Sequence, residues 1–337
     1  MHNGGPAKGV KACRTARKIL ETRLPSSTAR RGVRRLILTP MRSPEGALRR
    51  RAEAALVSNT IIWGATFVVV KQALHDVSPV LFLALRFTLA TIVLVVLFRG
   101  SWSNPLNPRW SLAGGALAGI FLFSGYAFQT IGLQYTTAPK SAFLTGLTAV
   151  MTPLLAAAVY RNKPRTMEIG GVLLATCGMA LMTLPTLPGA TLSMNRGDLL
   201  TVCCAVCYSA HILVLSRYSA TASFELLSTA QIGISALLAW SLFRGMETPH
   251  IRWTPGVWAA ILITGIFATA LAFTFQAWAQ RYTTSTRTAL IFMLEPVFAW
   301  ITSYLLTGET LSARAAAGAV LILAGILVVE LKPSSPH

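Results

Sequence analysis

The sequence predicts an all-α polytopic membrane protein of ten transmembrane helices, arranged as two inverted five-helix repeats. Three observations carry this expectation. Of the 337 residues, 53% are hydrophobic and only 12% are charged. A soluble globular chain carries about 25% charged residues. From residue 54 onward, apolar stretches long enough to cross about 30 Å of hydrocarbon follow one another. The chain also matches itself at an offset of 147 residues.

The first 51 residues stand apart from the rest. They hold 14 Lys/Arg against two acids, Glu21 and Glu45, and so carry +12 of the formal net charge of +19. The basic balance therefore belongs to a tail and gives no ground for nucleic-acid binding by the folded body. Residues 1–51 read as a basic, disordered extension, too poor in apolar residues to bury a core. Leu36-Ile37-Leu38 is too short to be the apolar region of a secretory signal. Three readings fit the tail. It is a leader upstream of a start at Met41, a cytoplasmic arm touching anionic lipid, or an organelle transit peptide.

The ten spans are expected at 54–73, 78–98, 111–132, 139–160, 168–185, 197–216, 224–243, 256–279, 285–306 and 312–331. Residues 110–139, 169–195 and 253–280 contain no Asp, Glu, Lys or Arg. Lipid forces a backbone to satisfy its own hydrogen bonds, so such runs are helices. The alternating segments of a barrel, about ten residues each, are not seen. With the N-terminus cytoplasmic, the inner connections and C-terminus hold Arg99, Arg109, Arg161, Lys163, Arg165, Arg217, Arg281, Arg287 and Lys332. The outer ones hold five: Lys140, Arg196, Arg244, Arg252 and Arg314. The positive-inside bias thus places both termini in the cytoplasm, with the inner membrane as the expected location.

The internal match is the strongest architectural signal. At an offset of 147, Gln134-Tyr135-Thr136-Thr137 meets Arg281-Tyr282-Thr283-Thr284. Ala142, Leu147, Val150, Gly171, Leu174 and Gly178 then meet Ala289, Leu294, Val297, Gly318, Leu321 and Gly325. The halves run about 54–185 and 197–331 with five spans each. Five is odd, so the second half enters the membrane from the opposite side. Inverted repeats of this kind typify secondary transporters with a midplane site.

The second half reads Ala270-Leu271-Ala272-Phe273 through Gln280-Arg281-Tyr282-Thr283, then Glu295-Pro296-Val297-Phe298-Ala299 and Gly308-Glu309. The first half opens with Trp63-Gly64-Ala65-Thr66-Phe67 and Leu85-Arg86-Phe87. These segments resemble the drug/metabolite transporter superfamily, EamA type, over about residues 52–331. The resemblance implies ten helices in two repeats and export or exchange of small metabolites such as amino acids. It leaves the substrate open. The first half has Thr148-Ala149 where the second has Glu295-Pro296, so a bend and a carboxylate are expected once only.

Glu295 is the most informative residue. An ionised acid within an apolar span costs about 2.5–3.5 kcal/mol by insertion scales. Pro296 lacks a backbone N–H and is expected to bend the helix and free a carbonyl. A carboxyl there suits a proton or a substrate amine; the alternative is an acid that only pins the bend. Arg86 is the cationic counterpart. It either clamps a substrate carboxylate through two parallel hydrogen bonds, snorkels to the outer interface, or pairs with Glu295. Asn59, Trp63 and Thr66 share one helix face, as do Tyr126 and Gln129. These, with His211 and Gln276, are polar positions that line a cavity or serve interhelical packing. His211 is a candidate proton relay, or a hydrogen-bonded packing histidine.

Cys203, Cys204 and Cys207 lie within a span without the further ligands a tetrahedral metal site needs, so they read as packing residues and no metal or cofactor is expected. No phosphate loop, H-E-x-x-H or G-x-S-x-G motif is present. The expected function is a secondary carrier, not an enzyme, exporting small metabolites by alternating access, with the bilayer and a small molecule as partners and possible proton coupling. The competing class is a non-transporting membrane protein, either an intramembrane enzyme or a lipid-interacting scaffold. An enzyme would gather titratable residues at one membrane face, whereas this chain offers one intramembrane Glu, one Arg and one His.

Arg49-Arg50-Arg51 suffices for the positive-inside bias without the preceding residues. A chain starting at Met41 is therefore expected to insert with unchanged orientation. Accessibility mapping of the termini checks this, and failed or inverted insertion would give the tail a necessary role.

Overall fold

The computed structural model describes residues 44–103, 106–136, 138–161, 165–183, 194–307 and 312–330. Most of the basic extension, together with Lys163, Lys332 and the Gly308-Glu309 pair, lies outside the described residues. The described chain is helical, and its β-type pairing is a single isolated bridge between Val77 and Ile251. The helices in order are α1 (Pro44–Ala73), α2 (Pro79–Phe98), α3 (Pro108–Gly132), α4 (Ala138–Gly146), α5 (Thr148–Tyr160), α6 (Thr166–Thr183) and α7 (Arg196–Tyr218). They continue with α8 (Phe224–Met246), α9 (Pro255–Gly265), α10 (Ala272–Ala279), α11 (Ser285–Phe292), α12 (Glu295–Thr307) and α13 (Ala313–Glu330). A π-helical turn, Ile266–Leu271, joins α9 to α10.

Among the described residues, seven helical stretches are long and apolar enough to cross a membrane. They are Gly46–Ala73, Pro79–Phe98, Pro108–Gly132, Phe143–Tyr160, Arg196–Tyr218, Phe224–Met246 and Pro255–Ala279. Thr166–Met182 and Ala313–Val329 are apolar but shorter, and the stretch expected at 285–306 is divided between α11 and α12. The chain is a multi-pass membrane protein.

The helix starts follow local chemistry. Pro79, Pro108 and Pro255 occupy first-turn positions, where a missing N–H leaves no bond unmade. Asn195 and Asp198 form a reciprocal capping box at α7, and Asp198 also accepts a 2.6 Å hydrogen bond from Thr136 Oγ1. Glu247, just past α8, caps α2 from outside: its carboxylate oxygens accept from the N–H groups of Val80 (2.9 Å) and Leu81 (2.8 Å). The adjoining Ser78 N–H donates to His250 O at 2.9 Å, which ties the α1–α2 turn to the α8–α9 connection.

One expectation is corrected here. The bend thought unique to Pro296 is a break in the helix, and it occurs in both halves. α4 ends at Gly146 and α5 starts at Thr148, while α11 ends at Phe292 and α12 starts at Glu295. Thr148 and Glu295 are the residues paired at the offset of 147. The chain tightens to i→i+3 bonds at both breaks: Leu147 N–H to Leu144 O, Met293 N–H to Leu290 O and Leu294 N–H to Ile291 O. Proline is therefore not what the break requires; Pro296 sits in the first turn of α12, where it is harmless. Only the carboxylate is present once.

A second correction concerns Arg287, counted above among charges in a connection. It lies in α11, is 4% exposed, and bonds Glu53 Oε1 of α1 (3.2 Å) and Val329 O of α13 (3.2 Å). Glu53 also pairs with Arg49 at 3.2 Å. At this end of the bundle Ala52, Leu56, Val172, Ala175, Ala279, Leu290 and Ile322 form one buried apolar cluster.

α6 and α13 pack backbone to backbone through glycine. A Cβ on Gly178 would lie 2.5 Å from Gly318 O, and one on Gly171 2.6 Å from Gly325 O. The reverse contacts are as tight, at 2.4 and 2.5 Å. Gly170 faces open space. Gly178→Ala is expected to force the helices apart at the cost of about 1–3 kcal/mol for overpacking. Gly170→Ala meets nothing and should hold or raise stability, by up to about 1 kcal/mol of helix propensity; thermal unfolding of the two purified variants in one detergent makes the comparison.

Candidate functional site

A cavity of about 580 Å³ lies among the helices. Its walls come from the second half of α1 (Trp63, Thr66, Val70), the first half of α2 (Phe82, Leu83, Arg86) and the second half of α3 (Tyr126, Gln129, Thr130, Leu133). The cavity thus reaches into the half of the bundle nearest the α1–α2 turn, and its floor is made by Met179, Ile212, Ala289 and Met293 of the apolar cluster around Leu56 and Leu290. Both helix breaks reach it, at Gly146 and Thr148 and at Met293, Glu295 and Pro296. Broken helices bring backbone polar groups to a cavity wall, where irregular backbone is tolerated at membrane depth.

Arg86 is 4% exposed and held on three sides. Its Nε donates to Thr269 Oγ1 at 2.5 Å, and its Nη2 donates to Ala268 O (3.2 Å) and Tyr126 O–H (3.1 Å). The guanidinium carbon also stands 4.7 Å from the centre of the Tyr126 ring, close enough for a cation–π contact. Nη1 has no hydrogen-bond partner among the described residues.

Glu295 is the first residue of α12, and its carboxyl has no hydrogen-bond partner among the described residues. No ion pair joins it to Arg86, although both line the cavity. The internal pairing allowed for above is thus absent between these two side chains. Arg86 is held at Nε and Nη2 by neutral oxygens and an aromatic face, and makes no bond to the carboxyl.

The remaining candidates divide into walls and supports. Gln129 bridges the cavity wall: its Nε2 donates to Thr145 Oγ1 and its Oε1 accepts from Tyr208 O–H, both at 3.2 Å. Trp63 donates Nε1–H to Ala268 O at 2.9 Å and packs edge-on to Phe292 with ring centres 4.9 Å apart. His211 lines the cavity, with Nε2 2.8 Å from Gln231 Oε1 and its ring edge-on to Phe273. Gln276 lines it too, its Nε2 donating to Gln280 Oε1 at 3.2 Å. Asn59 does not reach the cavity. It is fully buried, and its Nδ2 donates to Ala272 O at 2.8 Å, fastening α1 to α10. Sharing a helix face with Trp63 and Thr66 gave it no place on the wall, because antiparallel α10 covers that part of α1.

Sequence reasoning missed Thr269, Thr145 and Gln231. Thr269 and Thr145 are hydroxyl residues in apolar runs, and only the fold shows which oxygens they serve. Gln231 is fully buried against His211, and a lone glutamine in α8 carried no pattern. Cys204 is buried, with its thiol against Thr145 and Tyr208. Among the described residues no three His, Cys, Asp or Glu side chains are placed to hold a metal ion.

The cavity offers an unpaired cationic edge, a free carboxyl, neutral amides and aromatic walls in one space. Such a site can take a small molecule with separate anionic and cationic or protonic groups. Comparison with known proteins agrees in class. The EamA-like transporter family matches residues 50–184 and again 195–331. An Archaeoglobus fulgidus protein named "Uncharacterized transporter" is 33% identical over 288 residues, 86% of this chain and 88% of its own. A Salmonella typhimurium protein named "Probable amino-acid metabolite efflux pump" is 27% identical, covering 80% of this chain and 91% of its own. A crystal structure 18% identical in sequence superposes with a TM-score of 0.69 over 84% of this chain and 97% of its own, a likeness of fold. The family and these named relatives are transporters, so the reading as an intramembrane enzyme is set aside.

Asn59→Leu is expected to lower stability by about 0.5–1.5 kcal/mol, through the lost hydrogen bond to Ala272 O, while substrate affinity is retained. Thermal unfolding and binding measured on the same sample check this. Altered affinity at unchanged stability would put Asn59 on the transport path after all.

Proposed function

The chain belongs to the EamA-like transporter family, and from that premise we propose that it exports small metabolites, amino acids among them, by proton-coupled alternating access. In this reading Arg86 clamps a substrate carboxylate, and Glu295 takes the amine or the coupling proton. Trp63, Tyr126, Gln129, His211 and Gln276 line the path. The observation that carries it is that Arg86 and Glu295 line one cavity without pairing to each other. An internal ion pair would leave neither charge for a ligand. The name of the Salmonella relative supports amino acids as the substrate class.

The same proposal reads the chain as ten spans in two inverted five-helix repeats, 54–185 and 197–331, in the inner membrane with both termini cytoplasmic. Its support is the doubled family match, the helix breaks at Thr148 and Glu295, and the crossed glycine contacts. Gly171 meets Gly325 and Gly178 meets Gly318, while the offset of 147 equates Gly171 with Gly318 and Gly178 with Gly325. Crossed contacts of that form are what a two-fold axis between equivalent helices produces. With this orientation the cavity opens outward, and the Leu56–Leu290 cluster with the Arg287–Glu53 pair closes the inner side.

The test is counterflow into proteoliposomes with a panel of labelled amino acids, with and without an imposed pH gradient. Glu295→Gln keeps shape and hydrogen-bonding capacity but loses the ionisable proton. It is expected to reach the membrane at near-normal level and lose most gradient-driven flux. Arg86→Gln should weaken binding of carboxylate-bearing substrates more than that of their amides. Wild-type flux and pH dependence in Glu295→Gln would remove the coupling role, and chemical conversion of a panel member would overturn transport as the function.

A further inference from the structure

In the π-helical turn Ile266–Leu271 the backbone N–H of Ala272 bonds Phe267 O and Thr269 O, which releases Ala268 O from its usual α-helical donor. Ala268 O accepts from Trp63 Nε1 of α1 (2.9 Å) and from Arg86 Nη2 of α2 (3.2 Å). Thr269, the next residue, is buried with no measurable exposure. Its Oγ1 donates back to Thr264 O, five residues earlier, at 2.8 Å, and accepts from Arg86 Nε at 2.5 Å. Both hydrogen-bonding capacities of the hydroxyl are thus in use, one on the widened turn and one on the arginine. The turn lies close against α2, because a Cβ on Gly265 would meet Leu89 Cδ2 at 2.8 Å and Arg86 O at 3.3 Å.

These bonds fix two of the three guanidinium nitrogens and leave the third. An unfixed arginine has several rotatable bonds and would lose rotamer freedom on capturing a ligand. One held at Nε and Nη2 presents a planar donor in a set direction, with less left to lose. π-Helical turns occur often at functional sites, where they re-aim a side chain or free a backbone group. Here one turn does both: the freed Ala268 carbonyl and the Thr269 hydroxyl grip the same guanidinium.

We propose that Thr269 is a positioning residue, which through the π-helical turn holds the Arg86 guanidinium so that Nη1 faces the cavity and receives the anionic group of a carboxylate-bearing substrate. The proposal rests on the reading of Arg86 as the carboxylate-binding group. It adds that the strength of that group is set by a hydroxyl that itself touches no substrate. Trp63 shares the Ala268 carbonyl with Arg86, so a change in the hold on Arg86 is also felt by α1.

The test uses the full chain in lipid nanodiscs with nitrogen-15-labelled arginine. Sodium acetate serves as a minimal carboxylate probe, and sodium chloride as the control at equal ionic strength. Arg86→Lys identifies the Arg86 signals. In the wild type the Arg86 Nε–H is expected to be protected from solvent exchange, and acetate but not chloride should shift the guanidinium signals. Thr269→Val keeps the shape and deletes the hydroxyl. It should lose the protection and need about tenfold more acetate for the same shift, one hydrogen bond's worth of affinity. Thr269→Ser restores the hydroxyl and should restore both readings. Should Thr269→Val fail to fold, Thr269→Ala is compared with Thr269→Ser in the same way. A wild type that ignores acetate would sink the carboxylate reading of Arg86, and this proposal with it. A wild type that responds, beside a hydroxyl-free variant that responds equally, would overturn the positioning role alone. In the comparison with Thr269→Ala, so would an equal loss in Thr269→Ser, which would mark a packing effect of the missing methyl.

Discussion

Lipid offers a backbone N–H or C=O no partner, so every departure from regular helix must find its bonds inside the protein. This constraint places the site. Besides Pro153 inside α5, the described residues depart from regular α-helix at the break before Thr148, the break before Glu295 and the π-helical turn at Ile266–Leu271. The breaks are answered locally by tightened i→i+3 bonds. The turn is answered from a distance, by Trp63 and Arg86 at Ala268 O, and Asn59 serves Ala272 O just beyond it. Each of these three departures either lines the cavity or fastens a residue that does. The cavity is polar where the backbone is irregular, and the side chains that could carry transport chemistry are also those that make the irregularity tolerable.

Two buried arginines show how differently one residue type is used. Arg287 meets a carboxylate and a carbonyl in the packed half, next to the Leu56 cluster. Breaking a buried pair of that kind costs about 3–5 kcal/mol, because the partner charge is left unpaired. Arg86 is held by a hydroxyl, a carbonyl, a phenol and a ring face, none of which neutralises it. Its charge remains available. The first arrangement closes one end of the bundle; the second leaves the other end able to take an anion.

The glycines act as the counterpart of these polar groups. Association of helices in lipid has little hydrophobic drive, so close van der Waals contact matters more. Gly171, Gly178, Gly318 and Gly325 let α6 and α13 touch through their backbones. That tight pair stands beside the broken helices, which are the less regular part of the structure.

Composition, the long apolar runs and the match at an offset of 147 are properties of the chain alone. They determined the helical membrane class, and Trp63-Gly64, Leu85-Arg86-Phe87 and Glu295-Pro296 determined the family resemblance. Their cause is local or periodic: hydrocarbon selects apolar helices whatever those helices pack against. Single polar residues at depth, Arg86 and Glu295 above all, were legible because burying a charge is costly and so rarely without purpose. What those residues touch was not legible. That Asn59 fastens α10 instead of facing the cavity depends on an antiparallel neighbour more than 200 residues away in sequence. That Arg287 is buried against Glu53 depends on three helices meeting. The helix break in the first half has no proline in the turn that follows it, Pro153 coming later in α5, and the π-helical turn lies in the plain run Ile266–Leu271. Both are settled by the packing of distant segments, which periodicity does not encode, and only the tertiary structure decided them.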